Sequence, residues 1–269
     1  YRLVVNGVTP KVQLICMIPQ DIENVQKVHS ITYSRPATRI FEENGTKYAE
    51  FTIENENGIF PIYINTKIEL FSHDFKSAKK GRTVAMDAPE KYLAAEKFIE
   101  KDDSLIRSCE SFLVDKDTLK TIKNIYDYVS NNMVYSRNFP GEKGAARALR
   151  QLKGDCSEFT DLFVALCRAN NIPAMAVSGY YVDFTNTPRH AWAEVYCGKY
   201  GWFRLDPTTG RSRNFDYLPN NYIQLSTIRN DKTLCGIVYW GEPITVYEDI
   251  IMIDNGTKLT RGWKDVRKF

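Results

Sequence analysis

The chain has 269 residues, of which 43% are hydrophobic and 26% are charged, and its 36 basic and 33 acidic residues leave a formal net charge of +3. This composition excludes a disordered chain, and the near balance of charge gives no support for nucleic acid or an anionic membrane as a partner. No stretch approaches the roughly 18 consecutive apolar residues that a membrane-spanning helix needs. The length fits one large domain or two ordinary ones.

The first 75 residues predict antiparallel strands. Residues 49–54 and 62–70 alternate apolar and polar side chains with the period of two that a half-buried strand has. Turn signals at Glu43-Asn44-Gly45 and Glu56-Asn57-Gly58 separate such runs. We therefore expect an all-β domain, most simply a sandwich, over residues 1–86. The polar stretch at residues 77–81 predicts a linker to a second domain over residues 87–269.

After this linker the apolar residues recur with the helical period of 3.6. One helix begins just after Asp117, an N-cap residue. Another opens at Cys156, with Asp155 as its N-cap and Glu158 in the capping-box position, and ends before Pro173. From Ala174 onward the chain returns to strands, predicted at residues 175–184, 189–197, 202–206, 221–226, 234–240 and 244–252.

Cys156 is the candidate nucleophile. The free N–H groups at a helix start favour a thiolate, although a cysteine at this position alone also fits a structural role. Cys167 lies on the same helix face about 16 Å further along, at the carbonyl end that disfavours a thiolate, so we expect it in the core. The other four cysteines, at positions 16, 109, 197 and 235, form no C-x-x-C pair and no zinc-ligand spacing with these two, and we expect small buried side chains.

The candidate base is one of three histidines. His29 and His73 fall in the N-terminal β region, where surface or strand positions explain them. His190 begins a strand, and the turn around Lys199 leads into a second strand that ends at Asp206. If this turn is a three-residue loop centred on Lys199, the two side chains are diagonal neighbours on one face of a hairpin. A four-residue loop would put them on opposite faces, and Asp206 would then be a turn former before Pro207.

A thiol at a helix start and a His–Asp pair on neighbouring strands are the components of a cysteine–histidine–carboxylate triad. In such a triad the carboxylate orients the imidazole and stabilises its charged form. The imidazolium in turn keeps the sulfur ionised. The sequence therefore predicts a catalytic site made of Cys156, His190 and Asp206.

Three sequence blocks, residues 154–168, 189–195 and 202–208, resemble the transglutaminase-like superfamily in its bacterial branch. The resemblance extends over about residues 87–269 and implies an α+β, papain-like core in which the nucleophile helix packs on an antiparallel sheet. It matches Cys156 to the nucleophile, His190 to the base and Asp206 to the orienting acid. Residues 1–86 resemble the β domain that often precedes this core in bacterial members.

The resemblance also implies the type of reaction. Ser157 stands where animal transglutaminases carry tryptophan, and the chain has no acidic cluster like their calcium sites. This difference favours hydrolysis of amide or peptide bonds through a thioester, without a cofactor or metal, over transfer to amines. Two alternatives stay open: an acyltransferase on the same triad, and a binding or scaffold module that substrate does not reach.

Further expectations concern the surroundings of the triad. The amide N–H of Cys156 is the natural first oxyanion donor, and Gln151 or Tyr135 would be the second. Tyr180, Tyr181, Trp192 and Tyr239 would line a cleft or belong to the core. We expect a peptide, protein or cell-wall peptide as substrate. Because the chain begins at Tyr1 without methionine, we expect a processed or trimmed form. Signal-peptide removal would explain it and would imply a periplasmic or secreted location, and trimming of the chain for another reason would explain it equally well.

Overall fold

The computed structural model describes residues 2–75, 89–137, 144–182, 189–208, 215–229, 237–240, 244–251, 253–254, 257–258 and 263–268. The predicted linker at residues 77–81, the predicted boundary between residues 86 and 87, and Cys235 lie outside these ranges. Within them, no helix has both the length and the apolar character needed to cross a membrane.

The N-terminal region consists of strands, as predicted: β1 (Arg2–Met17), β2 (Gln26–Tyr33), β3 (Arg39–Glu43), β4 (Thr46–Pro61), β5 (Ile64–Leu70) and β6 (His73–Asp74). Asn44 and Gly45 form the turn between β3 and β4, both with positive φ. The turn predicted at Glu56-Asn57-Gly58 is wrong, because these residues lie inside β4. The register of β1 against β4 shifts between Val5 and Thr9, so a bulge accommodates this segment.

Two sheets pack together in this region. Apolar residues of β1 and β4 point inward, where partly buried side chains of β2 and β5 pack against them. Tyr33 of β2, for example, meets Phe51 of β4 edge to face, with ring centroids 5.7 Å apart. The expected sandwich-like packing is therefore present. Its buried cluster comprises Val12, Leu14, Cys16, Ile18, Ala49, Phe51, Ile53 and Ile62.

Five helices and two short strands follow: α1 (Ser104–Ser108), α2 (Glu110–Leu113), α3 (Thr118–Asn132), β7 (Val134–Tyr135), α4 (Ala145–Gln151), β8 (Lys153–Gly154) and α5 (Cys156–Ala169). The helix predicted after Asp117 is α3, and the Asp117 side chain caps it by accepting a hydrogen bond from the Leu119 N–H. Every residue of α5 from Glu158 to Ala169 is buried. This central position fixes α5 within the core.

The next strands are β9 (Ala174–Tyr181), β10 (Arg189–Tyr196), β11 (Trp202–Leu205), β12 (Tyr217–Leu218) and β13 (Tyr222–Ser226). Four of them form an antiparallel sheet in the order β11-β10-β9-β13. Helices α3, α4 and α5 share one large hydrophobic cluster with β9, β10 and β11. The helix that starts at Cys156 thus packs on an antiparallel sheet, in agreement with the predicted α+β fold.

The last strands are β14 (Ile237–Trp240), β15 (Ile244–Ile250), β16 (Ile253–Asp254), β17 (Thr257–Lys258) and β18 (Trp263–Lys268). Strands β14 and β15 pair with β1, and β18 pairs with β15. They therefore extend the N-terminal sheet, whose order is β18-β15-β1-β4-β3. The sequence analysis placed this segment in the second domain, whereas in the structure β14 and β15 pair with β1 of the N-terminal region. The local alternation predicted the strands but carried no information on their partners.

Buried polar contacts join the N-terminal region to the four-stranded sheet. Gln26 Nε2 donates to the Gln224 carbonyl at 2.9 Å, and the Gln224 N–H donates to Gln26 Oε1 at 2.8 Å. Thr46 Oγ1 also donates to Ser226 Oγ at 3.0 Å. Both partners in the second region lie on β13. This strand is therefore held by β9 on one side and by N-terminal residues on the other.

Candidate active site

Cys156 is the first residue of α5. The Asp155 side chain accepts a hydrogen bond from the Ser157 N–H, and Glu158 Oε2 accepts one from the Asp155 N–H, both at 2.9 Å. The capping box that the sequence predicted is thus present. The capping box satisfies N–H groups at the helix start, and Cys156 lies where the positive end of the helix dipole acts on its thiol.

Gly154 determines how the chain enters this helix. A Cβ atom at position 154 would lie 2.3 Å from Glu158 Cβ, which is too close for any side chain without a shift of the backbone. The glycine therefore allows β8 to pass directly over the first turn of α5. This close approach brings Cys156 to its position beside the sheet.

Cys156 is partly exposed, whereas the other cysteines that the structure describes, Cys16, Cys109, Cys167 and Cys197, are buried, and none of these five forms a disulfide. Burial raises the pKa of the Cys167 thiol well above its usual range. Cys167 is therefore a core residue, as expected, and solvent access distinguishes Cys156 from the buried thiols.

His190 and Asp206 meet across the hairpin of β10 and β11. Ala193 lies opposite Leu205 in this hairpin, which is the register of a turn centred on Lys199 and the first of the two alternatives that the sequence left open. His190 Nε2 is 2.7 Å from Asp206 Oδ2, and both residues are buried. The alternative register, with the two side chains on opposite faces, is excluded.

Three donors surround the carboxylate of Asp206. Oδ2 accepts hydrogen bonds from His190 Nε2 and, at 2.8 Å, from the hydroxyl of Tyr222. Oδ1 accepts one from the Thr208 N–H at 2.9 Å. Burial alone would raise the pKa of Asp206, but the charge and hydrogen bond of His190, followed by the bonds from Thr208 and Tyr222, lower it. Asp206 is therefore held as an anion.

The carboxylate in turn stabilises the charged imidazole. Burial disfavours the imidazolium of His190, but the charge and hydrogen bond of Asp206, together with smaller contributions from Cys156, outweigh burial and raise the pKa of His190 to about 10. His190 is therefore protonated at neutral pH. Cys156 acts on this pKa through a side-chain hydrogen bond and through charge, so the thiol lies beside the ring. Since Asp206 occupies Nε2, the ring nitrogen left for the thiol is Nδ1.

Aromatic rings surround His190. The ring centroids of Tyr181, Tyr222 and Trp192 lie 5.7, 5.9 and 6.3 Å from that of His190. Trp192 is fully buried and belongs to the core, whereas Tyr180 and Tyr181 are half-buried. The side chain of Tyr239 lies outside those the structure describes.

The two candidates for a second oxyanion donor lie on segments that lead to the nucleophile. Strand β7 pairs in parallel with β8, which places Tyr135 opposite Gly154. Gln151 is the exposed last residue of α4. Either assignment stays a prediction.

The other two histidines have different partners. His29 Nε2 is 3.1 Å from Glu69 Oε2 on the exposed surface. His73 stacks on Phe203, and burial, followed by the charge of Arg204, lowers its pKa to about 4. His29 lies in β2 and His73 in β6, so both occupy the surface or strand positions that the sequence predicted.

Two polar residues near the site were not predicted. Tyr222 follows Asp206 by 16 positions and has no motif around it that would identify it. Asp161, on α5, is completely buried and paired with Arg229, whose Nε and Nη2 donate to its two oxygens at 2.6 and 2.8 Å. In the described part of the chain, no group of three His, Cys, Asp or Glu residues is arranged to hold a metal ion.

Comparisons with known proteins show which family and which relatives this chain is similar to. Residues 110–207, which include Cys156, His190 and Asp206, match the model of the transglutaminase-like superfamily. The protein YebA of Bacillus subtilis is 26% identical over 222 residues, with 72% of this chain and 29% of YebA covered. Rv2569c of Mycobacterium tuberculosis is 27% identical over 136 residues, with 40% of this chain and 43% of that protein covered. The chain thus spans less than half the length of these relatives.

The fold also has a close structural relative. A protein of Cytophaga hutchinsonii, described as a candidate cysteine protease, superposes with a TM-score of 0.66 over 99% of this chain and 87% of its own, at 19% sequence identity. At this identity the likeness concerns the fold. Residues 110–207 thus match the model of the transglutaminase-like superfamily, and the fold of the chain is similar to that of the Cytophaga hutchinsonii protein.

Proposed function

We propose that this protein is a thiol hydrolase that cleaves amide or peptide bonds through an acyl-enzyme on Cys156. The observation that carries the proposal is the buried contact of 2.7 Å between His190 Nε2 and Asp206 Oδ2, together with the partly exposed Cys156, whose side chain interacts with the same imidazole. This arrangement suits nucleophilic catalysis because the imidazolium stabilises the thiolate beside it.

In the first half of the reaction, the sulfur of Cys156 attacks the carbonyl carbon of the substrate. The oxyanion that forms is adjacent to the first turn of α5, where the Cys156 N–H is the nearest donor by position. His190, protonated at neutral pH, gives its proton to the departing amine as the carbon–nitrogen bond breaks. The products of this half are a thioester on Cys156 and a free amine.

In the second half, His190 acts as a base. Formation of the thioester removes the thiolate charge, which is one of the influences that raise the pKa of His190. The neutral imidazole takes a proton from a water molecule, and the resulting hydroxide attacks the thioester carbonyl. The carbon–sulfur bond breaks, releasing a carboxylic acid and regenerating the thiolate–imidazolium pair.

The substrate class that follows is a peptide, a protein or a cell-wall peptide. The related protein of Cytophaga hutchinsonii is described as a candidate cysteine protease, and we extend that class of reaction to this chain. We propose water as the main acceptor, since Ser157 stands beside the nucleophile where cross-linking relatives carry tryptophan. A location outside the cytoplasm stays a prediction.

The test begins with the thiol. Wild-type protein is treated with a small thiol-directed electrophile at neutral pH, and the labelled residues are mapped by mass spectrometry. We expect Cys156 to react much faster than the buried cysteines, and His190→Ala to slow it. His29→Ala is the matched control, because His29 is exposed and pairs with Glu69 on β5. Preferential labelling of Cys16 or Cys109 with an inert Cys156 would refute the nucleophile assignment.

The second step identifies substrate and acceptor. A mixed library of peptides and peptidoglycan fragments is incubated with wild type and with Cys156→Ala, and cleavage that depends on Cys156 is scored by mass. Any cleaved amide is then tested with and without a millimolar primary amine. We expect the free acid to dominate. An amine adduct in excess of the acid would replace the hydrolase with an acyltransferase.

A further inference from the structure

Tyr222 contacts the carboxylate of the candidate triad directly. Its hydroxyl donates to Asp206 Oδ2 at 2.8 Å, and this is the oxygen that also accepts His190 Nε2 at 2.7 Å. The residue is 1% exposed. The phenol therefore shares an oxygen with the imidazole in a site where water does not compete for the bond.

The ring of Tyr222 packs against three other rings. Its centroid lies 4.9 Å from that of Tyr181 and 5.1 Å from that of Trp192, both in edge-to-face contacts, and 5.9 Å from the ring of His190. One face of the imidazole thus packs against the same side chain whose hydroxyl binds its carboxylate partner. Loss of the hydroxyl would leave this packing in place.

The strand that carries Tyr222 is also fixed from outside the core sheet. Gln224, two residues further on β13, exchanges two hydrogen bonds with Gln26 of the N-terminal region, and both side chains are buried. Thr46 binds Ser226 at the end of the same strand. Tyr222 therefore has its position set by two regions of the chain that are far apart in sequence.

We propose that Tyr222 is a positioning residue for the Cys156–His190–Asp206 site, because it fixes the rotation of the Asp206 carboxylate and keeps it ionised. The inference rests on the proposed function of that site. With Thr208 N–H on Oδ1 and both Tyr222 and His190 on Oδ2, each carboxylate oxygen is bound and the plane of the carboxylate is determined. Tyr222→Phe removes one donor and leaves the ring packing unchanged.

The expected consequence has a definite sign. A hydroxyl that donates to a carboxylate stabilises its charged form, so removal of the hydroxyl raises the pKa of Asp206. Protonation of Asp206 takes away the charge that stabilises the imidazolium, and the thiolate–imidazolium pair then becomes less populated. The titratable groups that face His190 and Asp206 from other elements are Cys156 from α5, Tyr181 from β9 and Tyr222 from β13.

The test is the pH profile of Cys156 alkylation in wild type, Tyr222→Phe and Tyr196→Phe. Tyr196 packs on Trp202 in the same aromatic cluster, so its variant is a matched loss of one phenolic hydroxyl. We expect the acid limb of the Tyr222→Phe profile to lie about one pH unit higher, since a hydrogen bond to a charged group changes an equilibrium roughly tenfold. The Tyr196→Phe profile should follow wild type. A Tyr222→Phe profile that coincides with wild type down to acid unfolding overturns the proposal.

A second readout separates this inference from the proposed function. The nitrogen signals of His190 are followed by NMR against pH in a Cys156→Ala background, where the acid step reports the protonation of Asp206. Tyr222→Phe should move this step upward, whether or not Cys156 proves reactive. In an Asp206→Asn background, Tyr222→Phe should move nothing, because the group through which it acts no longer titrates. An unmoved step in the first background, or a moved signal in the second, refutes the positioning role.

Discussion

Replacement of Asp161 by asparagine should remove a large pH dependence from the stability of this protein. The carboxylate lies on α5, fully buried, with Arg229 donating to both of its oxygens. Burial raises its pKa to about 7, although Arg229 acts in the opposite direction, and the nearby Glu158 and Glu100 add to the increase. The folded protein therefore keeps a proton on Asp161 well above the pH at which an ordinary aspartate loses it.

The sign and size of the effect follow from this difference. In the unfolded chain the carboxyl titrates near 3.8, and between that pH and about 7 only the folded state holds the proton. The free energy of unfolding therefore falls as the pH rises through this range. Some three pH units at roughly 1.4 kcal/mol each correspond to about 4 kcal/mol.

The assay is urea unfolding at a series of pH values from about 4 to about 8, for wild type, Asp161→Asn and the control Asp127→Asn. Asp127 lies exposed on α3, where it pairs with Lys123. The free energy of wild type minus that of Asp161→Asn should fall by about 4 kcal/mol across the range, whereas the same difference for Asp127→Asn should stay nearly flat. A wild-type advantage that is constant or grows with pH would mean that Arg229 outweighs burial and that the reasoning is wrong.

Three shorter predictions concern the site and its support. Asp206→Asn should keep the thermal transition and lower turnover by about three to four orders of magnitude, whereas activity lost only through unfolding would favour a structural role. Gly154→Ala should lower the free energy of unfolding by about 1–3 kcal/mol, because its methyl group meets Glu158; an unchanged midpoint in thermal unfolding would contradict this. Gln26→Ala should cost about 1–3 kcal/mol in urea unfolding, since it leaves backbone groups of Gln224 unpaired, and no loss would show that water replaces the contact.

Much of the site was predictable because it depends on local rules. The capping box at Asp155 and Glu158 follows from residue types at fixed spacing, and the structure has both of its bonds. The register of β10 and β11 depends on the length of one short loop, for which the sequence left two possibilities open, and the observed register places His190 and Asp206 on the same face. Where a few neighbouring residues determine the geometry, the sequence provided either the answer or a choice between two.

The parts that were missed depend on contacts between distant residues. Nothing near Tyr222 indicates that its hydroxyl reaches Asp206, because β13 meets the site only through its pairing with β9. The segment around Asn57 has the composition of a turn, yet a long pairing with β1 keeps it in a strand. The alternation of apolar and polar residues near the C-terminus predicted strands. It could not predict that these strands pair with β1, because that pairing depends on contacts between residues far apart in sequence.

That choice has a consequence for how the chain reaches its native state. Lys11 pairs with Trp240 and Val5 with Ile244, so one edge of β1 remains open until strands from the far end of the chain arrive. Pairings at such sequence separation slow folding, since the entropy of closing a long loop is lost before any contact forms. During this interval the exposed backbone of β1 can pair with another copy of the chain. Proteins shortened after β13 should therefore fail first by aggregation, with their candidate active-site residues all still present.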